Sequence, residues 1–222
     1  MICVSLVENK VTSALSACER AAEVADLIEI RLDALEDPQV APFFRVTEKP
    51  LLFTCRAREE GGFQELPLEK RLSLLKEAAR SGAFAVDLEL SSGREAVEEL
   101  KQDLGKSRLI LSFHDFSGTP SPEELQEKAT EMKDLGAKWG KIVTTARRPE
   151  EALVSLSLIP WARRKLKFSL ISFAMGEAGK FSRAVCLMLG SPLTYASLPR
   201  SCRAAPGQIP ADKLREVLEI LS

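Results

Sequence analysis

Apolar residues recur along this chain in two spacings. Short runs rich in β-branched and large apolar side chains read as buried strands. They are Ile2–Leu6, Leu27–Arg31, Leu51–Cys55, Phe84–Leu90, Leu109–Phe113, Trp139–Val143, Lys167–Phe173 and Leu193–Ser197. The longer stretches between them carry apolar residues three and four apart, as a helix with one buried face does. Over Pro67–Arg80, Leu68, Leu72, Leu75 and Ala79 share a face, and Glu69, Lys70, Arg71 and Lys76 are expected to point to water. Ser121-Pro122-Glu123-Glu124 is a helix start, with an N-cap serine, proline at the first helical position and a capping-box glutamate. Gly93, Pro149 and Pro210 sit near other helix starts.

Strands and helices thus alternate. Eight units in 222 residues leave about 28 residues each, enough for an α/β protein of the (β/α)8 TIM barrel class. No linker or low-complexity tract divides the chain, so residues 1–222 read as a single barrel domain. The alternative, a doubly wound open sheet, normally carries a glycine-rich first loop. Ser5 to Asn9 holds no glycine.

Bulk properties narrow the function classes. Net charge is −1, with 31 basic and 32 acidic side chains, which suits neither nucleic acid nor a membrane surface as partner. The five cysteines, Cys3, Cys18, Cys55, Cys186 and Cys202, are scattered and form no C-x-x-C pair. Reduced thiols in a cytoplasmic protein fit them, and a zinc site does not. The apolar start Met1–Leu6 is too short for a signal peptide, and no apolar run approaches a membrane span.

A barrel gathers its active site at the carboxyl ends of its strands. Alternation puts Glu29, Arg31 and Asp33 on one face of the second strand, and Asp87 and Glu89 on one face of the fourth. Charges facing a barrel interior must be paired or used. They are either a structural ion-pair network or part of a site. The third strand ends in Thr54-Cys55-Arg56 and runs into a loop holding Glu60-Gly61-Gly62. His114, the one histidine, follows the fifth apolar run; it is either a proton-transfer group or a structural residue. Lys141 lies within the sixth run, Trp139-Gly140-Lys141-Ile142-Val143. Burial there disfavours an ammonium and leaves an amine able to attack carbonyls. The alternative is a lysine that snorkels to the strand's edge, and Lys138 just before the run reads as surface. Past the seventh and eighth runs, Arg183 can clamp a carboxylate, and the stiff Ala205-Pro206-Gly207-Gln208 loop can hold an amide in place.

In order and spacing these segments resemble type I 3-dehydroquinate dehydratases along nearly the whole chain. The matching segments are Glu29-Ile30-Arg31-Leu32-Asp33, Thr54-Cys55-Arg56 with Glu60-Gly61-Gly62, Asp87-Leu88-Glu89, Ser112-Phe113-His114-Asp115-Phe116, Lys141-Ile142, Met175-Gly176 through Ser182-Arg183, and Ala205–Gln208. The resemblance implies a dehydratase of the shikimate pathway that turns 3-dehydroquinate into 3-dehydroshikimate. Lys141 would form an imine with the ring ketone. His114 would act as base and then acid, oriented by Glu60. Glu29, Arg31 and Arg56 would hold ring hydroxyls, Arg183 and Gln208 the carboxylate, and Met175 would pack on the ring. No cofactor and no metal are implied. A homodimer is, and some relatives are fused to a shikimate dehydrogenase.

Three departures stand out. Ala204 replaces a usual serine, which removes one hydroxyl from the substrate's surroundings. The first strand begins at residue 2 without the usual hairpin, which predicts a more open barrel base. The sequence stops at Leu221-Ser222, directly after the last helix, as a separate enzyme or a module of a fusion would. Two other functions stay in view: a class I Schiff-base aldolase-type lyase, and a non-catalytic barrel that binds a metabolite.

Overall fold

A computed structural model describes residues 1–199 and 205–221; Cys202 and Ala204 lie outside the described residues. Eight parallel strands form the barrel: β1 (Ile2–Leu6), β2 (Leu27–Arg31), β3 (Leu51–Thr54), β4 (Ala85–Glu89), β5 (Arg108–His114), β6 (Trp139–Thr145), β7 (Ser169–Met175) and β8 (Thr194–Ala196). Pairing runs β7-β6-β5-β4-β3-β2-β1-β8. No ladder joins β8 to β7 among the described residues. Side chains bridge that seam: the Phe173 and Tyr195 rings lie 6.0 Å apart, and Arg183 Nη1 donates to Tyr195 O at 3.5 Å.

Among the described residues, seven α-helices surround the strands: α1 (Val11–Ala22), α2 (Leu68–Arg80), α3 (Gly93–Lys101), α4 (Pro122–Asp134), α5 (Pro149–Trp161), α6 (Ser182–Met188) and α7 (Ala211–Leu221). The expected capping box at Ser121 is formed, with both reciprocal bonds to Glu124. The β2–β3 connection holds no α-helix, only 3-10 turns at Leu32–Ala34 and Ala41–Arg45. Pro38 and Pro42 remove backbone donors there. Lys167 does not start the seventh strand. It ends the wide π-type turn after α5 with φ 54°, and β7 begins at Ser169.

Two apolar layers result. One fills the space between strands and helices. The other lies inside the barrel, where Cys3, Leu27, Leu52, Ala85 and Ile110 are fully buried. Arg108 stacks across Phe84 and Trp139, at 4.0 and 5.8 Å from their ring centres, at the amino ends of β4 to β6. The base is therefore filled with side chains, not open as the missing hairpin suggested. Above this floor the interior side chains turn polar.

Candidate active site

The polar layer begins where strand register lines up charged positions. Ser5 of β1 pairs with Glu29 of β2, and Ser112 of β5 pairs with both Glu89 and Lys141. All nine expected site residues, Glu29, Arg31, Arg56, Glu60, His114, Lys141, Met175, Arg183 and Gln208, line one cleft at the carboxyl ends of the strands. Its empty volume, open solvent at the mouth included, is about 550 Å³.

Lys141 is buried but is not a lone amine among apolar groups, as its strand context suggested. Nζ lies 3.0 Å from Asp87 Oδ2, 3.9 Å from Glu29 Oε1 and 4.3 Å above the Tyr195 ring. Burial would raise the Asp87 pKa, but Arg56, Lys141 and the Ser112 hydroxyl outweigh it and hold it at about 2. Asp87 is therefore a permanent anion beside the amine. Glu29 is kept in place by hydrogen bonds from Ser5 Oγ and, at 2.8 Å, from Thr54 Oγ1.

His114 ends β5. Its Nδ1 lies 3.1 Å from Glu60 Oε2, which also accepts the His114 backbone N–H at 3.1 Å. Ser91 Oγ donates to the other Glu60 oxygen at 2.6 Å. Burial pushes the imidazole pKa well below its usual value, and the positive charges of Arg56, Lys141 and Arg31 push the same way. A neutral ring beside a carboxylate carries its proton on Nδ1, which leaves the Nε2 lone pair for chemistry. Gly61, with φ 86°, lets this loop pass beneath Phe116; a Cβ there would sit 2.5 Å from the Phe116 ring.

The arginines differ in their freedom. Arg31 is forked onto Asp33 at 3.0 and 2.7 Å and also donates to Gly61 O. Asp33 does not line the cleft. It accepts from Arg31 and from the backbone of Arg56 and Phe63, so this carboxylate is structural. Arg56 gives Nη2 to Asp87 at 2.8 Å and Nη1 to Glu89 and Ser112 at 3.1 and 2.5 Å. Arg183 is the exception. It is 1% exposed, and among the described residues it meets the carbonyls of Tyr195 and Pro206 and the face of Phe173, and no carboxylate pairs with it. Burial lowers its pKa to about 10. A buried guanidinium that no described carboxylate neutralises suits an anionic ligand. Gln208 reaches the same cleft because Gly207, with φ 75°, passes so close to Gly176 that a Cβ would lie 2.5 Å from its oxygen.

Sequence reasoning missed Tyr195, whose ring underlies Lys141 and whose hydroxyl is buried without a partner among the described residues. Its register with Cys3, an interior position, is the signal that was available. It also placed Arg71 towards water. Arg71 is buried and ion-paired to Glu89 at 2.6 Å.

The family model for type I 3-dehydroquinase matches residues 2–222. A relative from Desulfotalea psychrophila, named 3-dehydroquinate dehydratase, is 39% identical over 218 residues, covering 97% of this chain and 96% of its own. The crystal structure of type I 3-dehydroquinate dehydratase from Clostridium difficile with covalently modified comenic acid superposes with a TM-score of 0.89 at 27% identity, over 99% of this chain and 91% of that one. Dehydroquinate dehydratase and shikimate dehydrogenase from S. pombe matches with a TM-score of 0.86 at 29% identity, over 99% of this chain and 44% of that one. The chain belongs to the type I 3-dehydroquinase family.

Proposed function

We propose that this protein dehydrates 3-dehydroquinate to 3-dehydroshikimate through an imine on Lys141, with His114 moving the proton. Family membership supports the overall reaction. One observation carries the mechanism: a buried lysine, a neutral histidine and an uncompensated buried arginine face the same cleft. In this reading Nζ of the Lys141–Asp87 ion pair forms the bond to the ring ketone carbon, and the carbonyl oxygen leaves as water with two of the three Nζ protons. The resulting iminium keeps one positive charge, which the Asp87 anion stabilises where it forms. His114 Nε2 takes the proton from the carbon alpha to the imine. The electron pair then expels the ring hydroxyl, which leaves as water with the proton from the imidazolium. Water hydrolyses the imine and returns the amine and the ketone. Arg183 holds the carboxylate, Gln208 assists, and Met175 lies against the ring.

Borohydride added with product tests the assignment. The reduced ligand is expected on the Lys141 peptide. Labelling of the exposed Lys138, or no adduct at all, would overturn it. The same reading makes the functional unit this one barrel and its assembly a homodimer, which sedimentation at micromolar concentration checks.

Arg183→Gln separates binding from folding. Losing a desolvated charge pair with a ligand costs about 2–4 kcal/mol, so KM should rise roughly 30- to 1,000-fold. The free protein loses no carboxylate partner, so its melting temperature should hold or rise. An unchanged KM would place the substrate anion elsewhere.

A further inference from the structure

A line of alternating buried charges leads from Lys141 to the outer face of the barrel. It starts at Arg71 on α2, whose Nη1 donates to Glu89 Oε2 at 2.6 Å. Glu89 Oε1 accepts from Arg56 Nη1 at 3.1 Å. Arg56 Nη2 donates to Asp87 Oδ1 at 2.8 Å, and Asp87 Oδ2 meets Lys141 Nζ at 3.0 Å. We propose that Arg71 is a positioning residue for Lys141, acting through Glu89, Arg56 and Asp87. The inference rests on Lys141 being the reacting amine.

Arg56 is the member that makes the line more than a row of contacts. One guanidinium serves two carboxylates, Asp87 and Glu89, both fully buried. Arg71 supplies the second cation that Glu89 needs. Without it, Glu89 Oε2 keeps only Ser92 Oγ at 3.4 Å. A desolvated carboxylate left with a shared cation is costly, and the nearest relief is for Arg56 to turn towards Glu89. Arg56 then leaves Asp87, whose remaining cation is Lys141. The amine is drawn onto Asp87 and away from the cleft. In a dry interior such charges are little screened, so a change at one end reaches the other. A mere staple between α2 and β4 would behave differently: its loss would lower stability and leave the turnover of folded molecules alone.

The other side of Arg71 borders a surface cleft it shares with Arg58, Glu65, Pro67 and Leu68. A small cation from solvent can therefore reach the place the side chain leaves.

Arg71→Ala, Arg71→Met and Arg71→Lys are to be assayed with 3-dehydroquinate beside wild type, with circular dichroism to show that each is folded. Coupling through such a network is worth up to about 2 kcal/mol, so kcat of the two neutral variants should fall roughly 5- to 30-fold, with KM within about twofold. Guanidinium chloride at millimolar concentration should restore kcat of Arg71→Ala and do nothing for wild type or for Arg71→Met, whose side chain fills the space. Arg71→Lys should keep most of the activity. A folded neutral variant with wild-type kcat would overturn the proposal, as would a loss that neither guanidinium nor lysine repairs. Failure of both neutral variants to fold would make Arg71 a staple and overturn it too. A wild-type protein inactive on 3-dehydroquinate would instead fail the functional assignment, and the wild-type control shows that separately.

Discussion

Lys141→Met is expected to lower turnover by on the order of 10⁴-fold or more and to abolish borohydride trapping. Loss of a nucleophile from a group of residues that act as a unit has effects of this order, because no alternative route shares the same intermediate. Methionine keeps the length of the stem and its packing over Tyr195. The change also strips one cation from the Asp87 pair, which in a dry site threatens the fold. Asp87 keeps Arg56 Nη2 at 2.8 Å and Ser112 Oγ at 2.6 Å, so it is not left bare. The variant should therefore fold, and its inactivity should reflect chemistry. Substrate should still bind, since Arg183 and the ring contacts remain. Stopped-flow absorbance of the conjugated product, together with equilibrium binding, checks both halves. A folded variant with more than about a hundredth of wild-type activity would rule out an obligatory imine at this residue.

The parts of this site legible in the sequence follow from two simple periods. Strand alternation exposes Glu29 and Arg31 as interior positions, an apolar run encloses Lys141, and a polar residue ending such a run marks His114; Met175, beyond the seventh run, follows only from the family resemblance. The barrel follows from the alternation of the two periods, with strand ends off by a residue or two, as backbone assignments ordinarily are. What failed did so for physical reasons. The β2–β3 connection looked like another strand–helix unit by length, yet Pro38 and Pro42 deny it the donors a helix needs. The charge of Arg71 alone points it to water. Its spacing from Leu74, Leu75 and Ala78 already puts it on the buried face of α2. Charge type and periodicity conflict at this position, and a guanidinium enters a core readily when a carboxylate waits there. Asp87 was visible as an inward carboxylate, but its bond to Lys141 depends on the register of strands β4 to β6. Periodicity within one strand does not contain that register.

His114→Ala is expected to slow turnover about 10²- to 10⁴-fold while leaving imine formation in place, the range for a positioned acid–base group. The fold should survive. Glu60 would lose only the ring contact, retaining Ser91 Oγ at 2.6 Å and the backbone N–H of residue 114 at 3.1 Å. The pH dependence follows from sign. Burial and three nearby cations lower the imidazole pKa well below 6.5, so the ring is in its basic form at neutral pH. Activity limited by this base should therefore be flat through the usual histidine range and fall only well below it, where the ring takes up a proton. An acid limb centred near 6.5 in wild type would contradict that environment. Glu60→Gln refines the assignment. If Glu60 only fixes the tautomer, a glutamine oxygen facing Nδ1 does the same and little is lost. If its charge stabilises the imidazolium that forms as the proton arrives, the loss should approach the worth of a charge-assisted hydrogen bond, about 1.5–3 kcal/mol, or roughly 10- to 150-fold in kcat. The second outcome is expected, because Glu60 Oε2 faces both the ring and the backbone of His114 in a buried site where charge is weakly screened. Glutamine with near wild-type kcat would reduce Glu60 to a steric guide and leave the imidazolium to be stabilised by the substrate alone.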